Sequence, residues 1–100
     1  MNQLIVQAIE EKRLIELTYK GYSRIVEPHT YYRTKNGYEK LQCYQVQGGH
    51  SSVKRDPDDD WDYLTVPNIS NLSLLEKTFL GPRPDYKRLD ETMFTIYAQL

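Results

Sequence analysis

Between Lys12 and Ile15 the spacing of apolar residues changes period, and that change constrains the fold more than any other feature of the chain. Before it, Leu4, Ile5, Ala8 and Ile9 fall on one stripe of a helix over about residues 3–12, with Asn2 placed to cap its start. Lys12 and Arg13 close the helix, where cations suit the negative end of its dipole. After the change, Ile15, Leu17 and Tyr19 alternate with Glu16, Thr18 and Lys20, the pattern of a strand with one wet face. Gly21 ends that strand.

A second strand begins near Arg24 and runs through Ile25 and Val26 to Tyr31. Pro28 lacks an N–H for the sheet ladder, so it requires an edge or a bulge. Asn36-Gly37 is a strong hairpin signal because both residues reach positive φ cheaply. The third strand, Tyr38 to Val46, points Leu41 and Cys43 one way and Lys40, Gln42 and Tyr44 the other. Gly48-Gly49 ends it, and residues 48–60 read as a long, exposed, acidic loop. Trp61 to Val66 is a fourth strand stopped by Pro67, and a short fifth lies within Leu72 to Phe79. Gly81-Pro82-Arg83-Pro84 is a rigid connector. Asp90 then caps a last helix with the buried stripe Met93, Ile96, Tyr97 and Leu100, stapled by Leu89 and Phe94.

This order gives a mainly β chain with flanking helices, in the α+β class. Five short strands in 100 residues favour a curled sheet or partly open barrel, because closure removes exposed edges. Ile15, Leu17, Val26, Leu41, Leu64, Val66 and Ile69 are expected to share one core with the first helix. The expected organisation is one domain: residues 1–80 form the barrel with its N-terminal helix, and residues 81–100 pack a connector and helix onto it. The last helix's stripe must be covered either by the barrel or by a second copy of the chain, and the small size of the barrel leans the reading toward a homodimer.

Composition narrows the function by exclusion. Hydrophobic residues at 39% and charged residues at 27% are a globular balance. No apolar run approaches the ~18 residues that span a bilayer, so a soluble, cytoplasmic protein with no membrane partner is expected. The single Cys43 excludes an internal disulfide and a cysteine-based zinc site. The net charge is −1, distributed as +2 over residues 1–50 and −3 over residues 51–100, which is not the basic field of a strong nucleic-acid binder.

The run Ala8-Ile9-Glu10 through Ile15-Glu16-Leu17-Thr18-Tyr19, with Arg24-Ile25-Val26-Glu27-Pro28-His29 after it, resembles the WYL domain. Leu64-Thr65-Val66-Pro67-Asn68-Ile69-Ser70-Asn71-Leu72 sits where that family has its arginine-bearing strand. The resemblance covers about residues 3–79 and implies an Sm-like, SH3-like barrel, found in bacterial ligand-sensing modules of transcription regulation. It also implies a pocket of basic and aromatic side chains for an anionic ligand, such as a nucleotide or single-stranded nucleic acid. Residues 81–97 are similar to the tail of small stand-alone WYL-like proteins; the DNA-binding domain that usually precedes a WYL domain is not in this chain. The family's naming tripeptide is Glu39-Lys40-Leu41 here, Asn68 stands where many members carry Arg, and Asp62 replaces another frequent basic residue.

On this resemblance the ligand-binding residues are Arg24, His29, Lys40, Tyr44 and Asn68. Arg24 either grips a phosphate or carboxylate with its fork, or is a surface residue or one paired with Glu27. His29 either donates to a ligand or senses pH, or is fixed by a backbone hydrogen bond. Tyr31, Tyr32, Tyr38, Tyr44 and Tyr63 offer rings for base stacking, or simply pack on their strands. Asp56, Asp58 and Asp60 fail the calcium-loop pattern, with Trp61 at the glycine position and Pro67 at the closing glutamate. His29 and His50 have no motif-level catalytic partner, so no catalytic residue, metal or cofactor is expected. The sequence therefore points to a non-enzymatic module that binds a small anionic ligand, nucleotide or short single-stranded nucleic acid. The alternative is a protein–protein interaction or homodimerisation domain with a decayed pocket.

Overall fold

The computed structural model describes residues 1–49 and 60–100. The acidic-loop reading of residues 50–59, with His50, Asp56 and Asp58, lies outside the described residues. Among them, one helix and six strands follow in the order α1 (Gln3–Glu11), β1 (Arg13–Tyr19), β2 (Tyr22–Thr34), β3 (Glu39–Gly48), β4 (Trp61–Thr65), β5 (Ser70–Thr78) and β6 (Met93–Gln99). The chain is mostly β, and no described helix is long and apolar enough to cross a membrane.

The helix begins and ends for local reasons. Asn2 Oδ1 accepts from the N–H groups of Leu4 and Ile5, satisfying two of the donors left open at a helix start. Lys12, at φ 52°, turns left-handed and returns its N–H to the Ala8 and Ile9 carbonyls. Tyr31 ties this start to the sheet: its hydroxyl accepts from Asn2 N–H and donates to Glu39, both at 2.8 Å. Burial, with Glu39 beside it, pushes the Tyr31 phenol up to about 12.

The strands are antiparallel in the order β4-β3-β2-β1-β5. A flat sheet of this width separates its outer strands by four spacings of about 4.8 Å, roughly 19 Å. Yet β4 and β5 are joined by one 3-10 turn, Val66–Asn68. The Thr65 N–H on β4 donates to the Tyr19 hydroxyl on β1 at 3.1 Å. The sheet is therefore strongly curled. Ile15, Leu17, Val26, Leu41, Leu64 and Val66 fill its concave side with Ile5, Ala8 and Ile9 of α1, and Ile69 packs on that cluster half-buried.

β2 shows where Pro28 is accommodated. Pro28 faces Cys43 and Thr30 faces Gln42, so His29 is the extra residue of a bulge. The β2–β3 turn holds Asn36-Gly37, with Gly37 at φ 87°.

Residues 93–99 correct the sequence reading, which expected a C-terminal helix. They form β6, pairing with β2 from Thr30↔Gln99 to Thr34↔Met93. Two physical causes combine. Met93-Phe94-Thr95-Ile96-Tyr97 is rich in β-branched and aromatic residues, which lose side-chain freedom in a helix. β2 also runs beyond its pairing with β1, which stops at Val26, and offers an open edge there. Asp90 caps no helix; its carboxylate accepts from the N–H and hydroxyl of Thr92 in a turn that launches β6. Leu89 and Phe94 are exposed and form no staple. Tyr97, Ala98 and Leu100 pack on the chain's own core, so the helical stripe that suggested a second copy does not form.

Candidate functional site

Successive residues of β2 point to opposite faces of the curled sheet, and this alternation sorts the candidate side chains. Arg24 faces inward beside Leu17, its partner on β1. It is 4% exposed. Its Nη2 donates to the Tyr19 carbonyl at 3.2 Å and its Nη1 to Gln45 Oε1 at 3.5 Å. Asp62 Oδ2 lies 3.6 Å from Nη1, and the guanidinium carbon sits 5.4 Å from the Tyr19 ring centre. Asp62 reaches this position because β4 places it opposite Cys43, on the inner face of β3. Burial, with Asp62 adding to it, pushes the Cys43 thiol well up and leaves it protonated. Gly48 is needed here. At φ 117°, a Cβ would collide with the Ser23 carbonyl and the Arg24 Cα.

Lys40 flanks the other end of Tyr19. Its Nζ donates to Thr65 Oγ1 at 3.2 Å, and Thr65 N–H in turn donates to the Tyr19 hydroxyl. Burial raises the Tyr19 phenol, but the Thr65 hydrogen bonds and the Lys40 and Lys20 charges outweigh it and hold the group below its ordinary value.

The outer face carries a different arrangement. Glu27 on β2, Tyr44 on β3 and Trp61 on β4 are cross-strand neighbours in one row. The segment after β5 crosses this row. Arg83 Nε and Nη2 donate to Glu27 Oε1 and Oε2 at 2.8 and 3.0 Å. The same guanidinium lies 4.1 Å from the Tyr44 ring centre, within cation–π range. Its hydrogen bonds to Glu27 push the Arg83 pKa above the ordinary value.

His29, wholly buried, locks the same segment. Its Nε2 accepts the Arg83 backbone N–H at 3.1 Å, so the proton resides on Nδ1, which donates to the Glu27 carbonyl at 2.8 Å. Trp61 and Tyr86 meet the ring edge-on at 4.7 and 4.9 Å, and Phe79 stacks at 5.9 Å. Burial holds the His29 pKa below its ordinary value, against the opposing pull of the Glu27 carbonyl and charge. The Tyr86 hydroxyl completes the lock through Thr30 Oγ1 and the His29 carbonyl, at 2.6 and 3.2 Å.

The five residues named from the sequence thus divide. Arg24 and Lys40 flank Tyr19, His29 and Tyr44 hold Arg83, and Asn68 is exposed at the end of the 3-10 turn, in neither group. Sequence reading missed the two residues that decide the electrostatics. Asp62 is the counter-ion of Arg24, and Arg83 is the partner of Glu27. The signal for Asp62 was its period-two position in β4, opposite Cys43; the flanking prolines of Arg83 gave only a rigid connector. No family model matches this chain, and no curated protein or solved structure matches it either.

Proposed function

We propose that this chain is a non-enzymatic, WYL-like module with an SH3-like barrel, and that it works by binding a protein partner rather than an anion. The Arg-x-Val-Glu-Pro-His run on β2, the helix-then-strands order and the curl that brings β4 back to β1 support the family and the barrel. One observation carries the function. The Arg24 guanidinium is buried against Asp62, Gln45 and the Tyr19 carbonyl, so its charge already has a counter-ion. The inserted carboxylate would have to be displaced before a phosphate could take the fork.

A second reading rests on a separate detail: Arg24 Nε is buried and makes no hydrogen bond among the described residues, and Lys40 lies beyond the same tyrosine. An anion that displaced Asp62 would engage that donor. Titration of labelled single-stranded oligonucleotides and a nucleotide panel at low salt separates the two. The interaction reading expects no binding. Binding that falls steeply with salt and disappears in Arg24→Ala overturns it in favour of an anion-sensing module.

A further inference from the structure

We propose that Glu27, Tyr44 and His29 form a recognition site for an arginine residue that opens a tight turn, occupied in cis by Arg83 and open in trans to an arginine-bearing segment of a partner protein. This deepens the interaction reading by naming the partner's chemistry, and it rests on that reading.

The site reads an arginine at three points. The Glu27 carboxylate takes the guanidinium fork, a planar match that an ammonium cannot make. The Tyr44 face takes the cation from one side. His29 Nε2 accepts the main-chain N–H of the same residue, so side chain and backbone are both registered. These groups come from β2 and β3, where strand pairing fixes Glu27 opposite Tyr44. The site is built into the sheet, whereas its occupant is not.

The occupant belongs to a segment with no helix or strand between Thr78 and Met93. Pro84-Asp85 turns the chain directly after the arginine, and the Tyr86 N–H donates to the Arg83 carbonyl at 3.1 Å to close that turn. A groove of about 560 Å³ runs beside it, bounded by Leu14, Val46, Phe79 and Pro82, and reaches Glu27. The charge left in the cradle when Arg83 departs is the Glu27 carboxylate, which selects a cationic replacement. A tethered occupant competes at an effective concentration on the order of millimolar, so the cis segment sets a threshold that a partner's affinity must exceed.

The test uses the full chain and the peptide Gly-Pro-Arg-Pro-Asp-Tyr, which matches residues 81–86. Trp61, the one tryptophan, reports on the site because the Tyr86 ring stacks 6.1 Å from it. Arg83→Ala should bind the peptide at least about tenfold more tightly than wild type, and about tenfold more tightly than the same peptide with citrulline for arginine. Adding Glu27→Gln to that variant should abolish the difference between the two peptides. If Arg83→Ala does not fold, Arg83→Lys carries the test, and the peptide should raise the melting midpoint of either variant by mass action. Equal binding of arginine and citrulline peptides, or variants that gain neither binding nor stability in millimolar peptide, overturns the proposal. Those failures leave the interaction reading standing; salt-dependent anion binding through Arg24 overturns that reading whatever the peptide does.

Discussion

Glu27 and Arg83, 56 residues apart in sequence, meet as a two-point fork with both N–O distances at or below 3.0 Å. Glu27 is the less exposed partner, at 10% against 39% for the Arg83 side chain. The pair holds the segment after β5 across the outer face of the sheet, together with the contacts of His29 and Tyr86. Replacing Glu27 with Gln keeps the shape but removes the charge and one acceptor. The loss should be roughly 1.5–3 kcal/mol, the range for hydrogen bonds to charged groups. A urea titration checks it; a midpoint equal to wild type would show that the fork adds nothing to stability.

His29 makes stability depend on pH in a defined direction. Its folded pKa lies below the ordinary value of 6.5, because burial disfavours the cation and Nε2 is committed to accepting from Arg83. Below that value the unfolded chain takes up a proton that the folded chain refuses. The contribution of neutral His29 is therefore complete above 6.5 and is lost as pH falls toward the folded value. Urea midpoints should drop between about pH 7 and about pH 5 more steeply for wild type than for His29→Gln, which cannot titrate there. Parallel pH profiles would remove His29 as the source.

Leu41 and Leu64 face each other across β3 and β4 at the centre of the core, 0% and 2% exposed. Truncating either to Ala should cost roughly 2–5 kcal/mol, combining lost burial with an unfilled cavity. Chemical denaturation measures this directly. A loss below about 0.5 kcal/mol at both sites is the size expected of exposed positions and would contradict this register.

What was legible in the sequence was local. The Asn2 cap, the alternation of Ile15, Leu17 and Tyr19, and the turn at Asn36-Gly37 each depend on a few neighbouring residues, and each is present in the fold. Pro28 announced an edge or a bulge for the same reason, since the missing N–H is a property of that residue alone, and the bulge follows at His29. β6 was not legible, because Met93, Ile96, Tyr97 and Leu100 fit a helical stripe as well as they fit a strand. The open edge of β2 beyond Pro28, set by contacts some sixty residues away, decided between them. The electrostatics of the site were hidden in the same manner. Asp62 read as a lost cation until the β3–β4 register placed it beside Arg24, where it is the counter-ion.

That pairing can be tested directly, because Arg24 should take up no anion while Asp62 is already there. Asp62 is 23% exposed and Arg24 4%, so an amide in place of the carboxylate takes the counter-ion from the guanidinium at a position that solvent reaches. Binding of a labelled single-stranded oligonucleotide at low salt should be measured for wild type, Asp62→Asn and the double variant Asp62→Asn/Arg24→Ala, with folding checked by circular dichroism. Wild type should not bind, Asp62→Asn should gain salt-sensitive binding, and the double variant should lose it. Binding by wild type that Asp62→Asn leaves unchanged would contradict this role of Asp62.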